Sequence, residues 1–295
     1  MLTEQTIPTP IAPQLRLTPA ADLFAQRGRR LRQLAATHTL GPWLSWFAEL
    51  CAAQQLAFER QAGSRSDDAN GETTPSAPPS IPPARIAEIR SRLIPFLPTQ
   101  APPGVTRYPR FAIDITPSEL TARLERNRLI ARGEAIGAGR ELEDLLIAAS
   151  MQVAWSVDAR QTATSNASAA NAATCPHCGS VAVGSIILAG EGRAGLRYQE
   201  CCLCATRWNS VRARCTLCDS GSVVQYLSLE GEYPAVAAET CDQCHAYTKL
   251  FFQSRDIQVD PTADDLATLA LDVLVGEQGY ARAAPNLLLC EGEAA

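Results

Sequence analysis

Apolar residues in the first half of the chain recur every three or four positions, the spacing that gathers them on one face of an α-helix. Trp43, Trp46, Phe47 and Leu50 show this clearly and predict a helix over about 42–61, with Pro42 in the first turn, where its missing N–H is not needed. A helix from about Asp22 to Thr37 precedes it, and another, from about Ala84 to Leu93, carries Ile86, Ile89 and Leu93 before Pro95 and Pro98 interrupt the pattern. Thr116, Pro117 and Glu119 make a Thr-x-x-Glu start signal for a helix bearing Leu120, Leu124, Leu129 and Ile130, broken by Gly133, Gly137 and Gly139. A fifth helix, over about 140–157, aligns Leu142, Leu145, Leu146, Ala149 and Val153. Residues 1–20 read as an irregular arm and 62–83, rich in Gly, Ser, Asp, Thr and Pro, as a surface loop. Phe111, Ile113 and Ile115 alternate and suggest a short extended pass within 99–115.

The pattern changes after a small, polar stretch at 161–174 that reads as a linker. Val181–Leu188 with Leu196–Gln199, and Val223–Leu229 with a piece around Val236, are hairpin material, and Gly190, Gly192 and Gly195 suit the first turn. Helical character returns near the C-terminus, where Asp260 can cap a helix with Pro261 in its first turn. Leu266, Leu269, Ala270, Val273 and Leu274 predict one apolar stripe ending near Gly276–Gly279, and Leu287, Leu288, Leu289 and Cys290 are expected to pack back on the body. The expected class is α+β: a mainly α-helical domain over 1–160, two small modules over 175–212 and 213–255, and a C-terminal helical segment over 256–295.

Charge narrows the functional classes. The 295 residues carry a formal net charge of -5, so nothing in the bulk charge favours nucleic acid. No run of 18 apolar residues predicts a membrane span. Glu4 and several prolines stand where a secretion signal needs a basic start and an apolar core, so a cytoplasmic location is expected. In that reducing compartment, clustered cysteines read as metal ligands rather than disulfides.

The cysteines carry the chemistry. Of 11, nine lie between Cys175 and Cys244, and eight of these form Cys-x-x-Cys pairs: Cys175/Cys178, Cys201/Cys204, Cys215/Cys218 and Cys241/Cys244. The third and fourth pairs follow the first and second at one constant offset, which points to an internal duplication. Each pair can form a knuckle, a tight turn that offers two thiolates, and two knuckles close a tetrahedral site. Gly179 and Ser180 after the first pair, and Asp219, Ser220 and Gly221 after the third, suit such turns. The simplest pairing puts Cys175, Cys178, Cys201 and Cys204 on one ion and Cys215, Cys218, Cys241 and Cys244 on another. The modules then read as rubredoxin-like or zinc-ribbon-like, with two metal ions per chain, iron or zinc. Four thiolates suit either metal and leave no open position for water. An iron–sulfur cluster is less compatible with the paired spacing.

Other side chains have plainer readings. Cys202, beside a ligand, is expected to point elsewhere and, like Cys51 and Cys290, to be an inert thiol. His177 and His245 lie at or beyond knuckles that already have four sulfurs. Arg197, Arg207, Arg212, Arg214 and Lys249 either soften the charge of the thiolate sites or are solvated. Tyr198, Trp208, Tyr226 and Tyr247 are expected to pack on the modules. Asp264 and Asp265 suit the positive end of the C-terminal helix. No nucleotide loop, His-Glu-x-x-His motif or nucleophile elbow is present, and no residue is expected to be catalytic.

Several stretches together resemble the formate dehydrogenase accessory protein family, FdhE: Gly195-Leu196-Arg197-Tyr198, Arg207-Trp208-x-x-Val211-Arg212, Glu239-Thr240-Cys241-Asp242-x-Cys244 with Tyr247-x-Lys249, and Ala263 through Asp272. Asn286 and the following leucines fit the family's ending. The resemblance runs from about Cys175 to Leu289 and is weaker in the helical half. It implies a cytoplasmic accessory factor that is not itself an enzyme, with rubredoxin-like modules associated with iron. The implied partner is the catalytic subunit of a respiratory formate dehydrogenase, bound before export, without stable membrane insertion. The alternatives are an oxidoreductase acting on the client's cysteines or cofactor, and a nucleic-acid-binding zinc ribbon.

Overall fold

The computed structural model describes residues 16–63, 80–98, 115–135, 140–162, 173–190, 193–212, 214–221, 224–229, 231 and 233–289. The expectations for residues 1–15 of the N-terminal arm, most of the loop at 62–83, the extended pass at Phe111 and Ile113, the breakers Gly137 and Gly139, most of the linker, Gly192, Val223 and Cys290 lie outside the described residues; at Arg16–Leu17 the arm expected to be irregular is instead a short strand, because it pairs with the sheet.

Five helices build the N-terminal part: α1 (Leu23–Ala35), α2 (Gly41–Gly63), α3 (Pro83–Leu93), α4 (Pro117–Ala131) and α5 (Leu142–Gln161). Local signals act as the sequence anticipates. The Thr116 hydroxyl accepts the Glu119 N–H at 3.3 Å and donates to the Glu119 carboxylate at 2.9 Å. Gly133, at φ 72°, turns the chain out of α4. The fifth helix departs from the expected single face. Every residue from Asp144 to Met151 is buried, and so are all from Gln152 to Val157. A helix buried on all sides is central: α5 packs against α2, α3 and α4, and the first cysteine module also meets it through Gln152 and Ser156.

The second half forms one sheet. Strands β2 (Ala182–Ile187), β3 (Arg197–Cys201) and β4 (Arg207–Ser210) belong to the first repeat, and β5 (Val224–Leu227), β6 (Val236–Cys241) and β7 (Ala246–Phe252) to the second. With β1 (Arg16–Leu17) and β8 (Ala281–Arg282), the order is β1-β4-β3-β2-β7-β6-β5, and β8 also pairs with β7. The two repeats join where β2 runs parallel to β7, with Ser185 opposite Leu250 and Ile187 opposite Phe252. Gly184 permits the approach: a Cβ there would lie 2.7 Å from the Lys249 carbonyl oxygen and 2.7 Å from the Phe251 ring. At the far edge, β1 covers β4, with Arg16 opposite Trp208. This contact ties the segment ahead of the helices to the first repeat.

Two apolar cores lie around the sheet. The larger combines the helices with Val183, Leu203 and Trp208 and with Leu287 and Leu288, which pack back on the body as expected. The smaller holds Ile186, Tyr198, Val236, Tyr247 and Phe251. Tyr226, by contrast, is exposed.

The C-terminal stripe is a correction. Instead of one helix there are two, α6 (Pro261–Ala267) and α7 (Leu269–Glu277), broken at Thr268. Asp260 caps α6 as expected, accepting the N–H groups of Thr262 and Ala263. Leu266 enters the larger core, but Ala270, Val273 and Leu274 are exposed, while Leu271 and Val275 enter the smaller core. The cause is tertiary. The buried Lys249 ammonium donates to the carbonyls of Asp265 and Thr268 at 3.2 and 3.0 Å, which compensates the helix break and lets α7 restart in a new phase. No helix among the described residues is long and apolar enough to cross a membrane.

Candidate metal centres

Each Cys-x-x-Cys pair bends the backbone in the same way. The residue after the second cysteine has positive φ in all four: Gly179 (74°), Ala205 (55°), Asp219 (57°) and His245 (51°). Its N–H returns to the carbonyl of the first cysteine at 2.9, 3.2, 3.0 and 2.9 Å respectively. In the first three knuckles the first cysteine's N–H also meets the carbonyl of Ser180, Thr206 or Ser220. Only Gly adopts this conformation without cost, so Ala205, Asp219 and His245 hold a disfavoured geometry because the knuckle requires it. That assigns His245 a backbone role.

The knuckles converge in pairs. Cys175, Cys178, Cys201 and Cys204 gather at the ends of β2 and β3, and Cys215, Cys218, Cys241 and Cys244 at the ends of β5 and β6; within each set the four sulfurs lie within 4.8 Å of one another. In the first set, Cys175–Cys204, Cys178–Cys201 and Cys178–Cys204 are 3.5, 3.4 and 3.6 Å apart. In the second, Cys215–Cys244 and Cys218–Cys241 are 3.9 and 3.7 Å apart. Metal–sulfur bonds of about 2.3 Å give a tetrahedron with edges of roughly 3.8 Å. A disulfide would need about 2.05 Å. The spacing therefore fits four thiolates about one ion.

The two centres differ in their surroundings. All four cysteines of the first are buried, whereas Cys218 and Cys244 of the second are exposed. The first is held by the helices. Gln152 Nε2 of α5 donates to the Cys202 carbonyl at 3.0 Å, Ser156 Oγ to the Cys204 carbonyl at 3.2 Å, and the Val181 N–H to the Ala131 carbonyl at 2.8 Å. His177 is buried beside the first centre, with Nε2 3.2 Å from Asp158 on α5. Around the sulfurs, the N–H groups of Leu203 and Cys204 point at Cys201 Sγ, both at 3.4 Å. Such donors favour thiolates.

Without a cation the four thiols compete for charge. Burial, reinforced by the neighbouring thiols, pushes Cys201 and Cys204 well above the usual thiol range. Hydrogen bonds from Cys175, Cys201 and Cys204 hold Cys178 well below it. In the second centre, burial pushes Cys215 up to about 12. Cys241 moves down, against its burial, because the N–H groups of Cys244 and Gln243 point at it. A metal ion would supply the charge that lets all four ionise together.

Cys202 turns away from the sulfur set, its Sγ 3.7 Å from the Ala131 carbonyl, and Cys51 is wholly buried, its thiol pushed up to about 12 by burial. The ribbon cations do not surround the thiolates. Arg197 pairs with Glu239, Arg207 with Glu200, Arg214 with Asp219, and Lys249 with Asp265 and Asp272.

The two arginines of α1 that fasten the assembly were not singled out in the sequence. Arg27 reaches Glu200 and Asp260, and Arg30 reaches Asp256 and Asp264. Asp264 and Asp265 are fully buried and face apart: Asp264 binds Arg30 of α1, while Asp265 binds Lys249 of β7, Arg282 of β8 and Asn286. Their adjacency thus clamps a helix to the sheet instead of forming a shared carboxylate site. A signal for the arginines existed. Arg27 and Arg30 share the buried face of α1 with Phe24, Leu31 and Leu34, so charge interrupts an otherwise apolar stripe.

Three family models match the chain: FdhE, N-terminal, over residues 12–94; FdhE, central domain, over 174–212; and FdhE, C-terminal domain, over 213–289. A protein FdhE homolog of Pseudomonas aeruginosa is 34% identical, covering 93% of this chain and 92% of its own length. Homologs of Edwardsiella ictaluri and Haemophilus influenzae are 34% and 30% identical, each covering 96% of this chain and 93% and 94% of their own lengths. The crystal structure of the FdhE protein from Pseudomonas aeruginosa superposes with a TM-score of 0.66 at 29% identity, covering 94% of this chain and 99% of that one. Model matches across all three regions and near full-length likeness to several homologs place this chain in the FdhE family of formate dehydrogenase formation proteins.

Proposed function

We propose that this protein is a cytoplasmic accessory factor that binds the catalytic subunit of a respiratory formate dehydrogenase before export and carries two metal ions in rubredoxin-like or zinc-ribbon-like modules. Family membership supports an accessory role in formate dehydrogenase formation. The unequal burial of two similar sulfur sets carries the division of labour within it. Cys175, Cys178, Cys201 and Cys204 would hold an ion that cross-links the sheet to α5, a structural role. Cys218 and Cys244 would present the second ion at the surface, where Leu217 and Tyr226 are also exposed. A rigid, partly apolar surface of this kind suits protein recognition. Zinc there would act as a cross-link, whereas iron would add a one-electron change of state.

The exposed second centre also favours a redox reading, because electrons bound for a client's cysteines or cofactor must leave at an accessible sulfur. The ribbon arginines do not support the nucleic-acid reading, since Arg197 and Arg207 are neutralised by carboxylates.

One experiment separates these. The protein is isolated without oxygen, its iron and zinc are counted, and capture of the formate dehydrogenase catalytic subunit is compared for the wild type and a Leu217→Ser/Tyr226→Ser variant that keeps all eight cysteines. The accessory reading expects capture by the wild type and weaker capture by the variant at unchanged metal content. Failure to capture the apo, mature or unexported subunit refutes it. Two zinc ions and no absorption change on reduction refute the redox reading alone.

A further inference from the structure

A cleft of about 380 Å³ opens where β1, the start of α1, β3, β4 and the cap of α6 meet, lined among others by Arg16, Leu17, Leu23, Glu200, Arg207 and Asp260. Its volume lies at the lower end of the range for small-molecule sites, about 300–1,000 Å³. Its charges are not balanced. Glu200 is compensated by Arg27 at 3.5 Å and Arg207 at 2.7 Å, and Asp260 by Arg27 at 3.2 Å. Among the described residues Arg16 has no such carboxylate. The residue is only 8% exposed, and among the described residues its Nε and Nη2 find no hydrogen-bond partner.

A buried guanidinium without an anion is costly, and native structures almost always provide a partner for such a group. Leu17 and Leu23 beside it offer an apolar wall. We propose that this cleft binds a small organic oxyanion, a phosphate monoester or a carboxylate, whose charged end pairs with Arg16 and whose apolar body lies against Leu17 and Leu23. The ligand would touch Ala205, which directly follows the Cys204 ligand position, and so would bridge the helical part and the first metal module. The proposal stands independently of the formate dehydrogenase reading, and its failure leaves that reading intact.

The test uses the full chain, isolated with its metals retained, and titration calorimetry at low and matched ionic strength. Inorganic phosphate, AMP and benzoate serve as probes, with potassium chloride as the control. Saturable binding of AMP or benzoate, tighter than that of inorganic phosphate, is expected, and the tighter of the two decides between phosphate ester and carboxylate. Arg16→Met should weaken that binding about tenfold or more, as loss of a hydrogen bond to a charged group does. A second readout guards against a purely structural effect. The free variant should melt no lower than the wild type, with unchanged metal content, because it loses an unpaired buried charge. The ligand should raise the melting temperature of the wild type but not of the variant. The proposal is overturned by no saturable heat from any probe at millimolar concentration, by heats equal to those of potassium chloride, by equal affinity in both proteins, or by a variant that loses metal and melts lower.

Discussion

Replacing Cys204 with Ser should unfold the helices, whereas the equivalent change at Cys244 should loosen only one end of the sheet. Structural tetrathiolate sites contribute on the order of 10–16 kcal/mol of binding free energy, against a net domain stability of about 5–15 kcal/mol. How much of that reaches the whole fold depends on whether the site can open locally. The first centre has no local exit, because its knuckles lie in the larger core with Trp208 and Leu203 and are hydrogen-bonded to Gln152 and Ser156 of α5. Losing an ion bound there would exceed the stability available. The second centre can open by releasing β5 and the 215–221 knuckle, where Gln225, Tyr226 and Leu217 are already exposed. The loss is then capped at the free energy of that local opening, below the full metal-binding term. Each variant would be isolated without oxygen and assayed for metal content, helical circular dichroism on heating, and proteolytic fragments. Cys244→Ser should retain one ion and helical melting close to wild type, with cleavage confined to the second module. Cys204→Ser should lose helical melting altogether. Equal loss of helix in both variants, or near-native helical melting in Cys204→Ser, would refute the reasoning.

Three further outcomes are expected. Gly184→Ala should destabilise by about 1–3 kcal/mol or more in urea unfolding, because its Cβ would meet the Lys249 backbone at 2.7 Å where β2 joins β7; a neutral effect would mean the repeats are not joined there. Burial raises the Asp264 carboxyl from 3.8 to about 6 despite its pairing with Arg30, so the folded state holds the proton more tightly than the unfolded chain. Stability therefore falls as pH rises from about 4 to 6, by roughly 3 kcal/mol, and levels above that; the difference in unfolding free energy between wild type and Asp264→Asn across that window isolates the effect from thiol protonation, and an identical pH slope in both proteins contradicts it. In α7, Leu271→Ala should cost about 2–5 kcal/mol and Val273→Ser less than about 0.5 kcal/mol, and thermal melts showing the reverse order would restore the single-stripe helix.

Much of the local structure was legible. Thr116 and Asp260 announce their helices because a cap is decided within three residues. The periodicity around Trp46 and Phe47 marks α2, and Leu287 and Leu288 pack where their apolar character places them. The four cysteine pairs were equally plain, since two thiolates at this spacing need only a tight turn. The convergence of each set was anticipated from the repeat alone. The burial of one set and exposure of the other was not, because nearly identical knuckles differ only in what packs on them.

Alone, the sequence determined the helices with strong caps, the cysteine spacing and the pairing of knuckles, because each depends on contacts between near neighbours or on a repeated unit. Tertiary structure decided the rest. The parallel contact of β2 with β7 joins strands far apart in the chain and requires the bare backbone of Gly184. The restart of α7 depends on an ammonium from β7, and the clamp at Asp264 and Asp265 on partners from α1, β7 and β8. A side chain's own neighbours in sequence do not specify such partners, because the energy of a buried charge or a close backbone approach is set by what the fold brings against it.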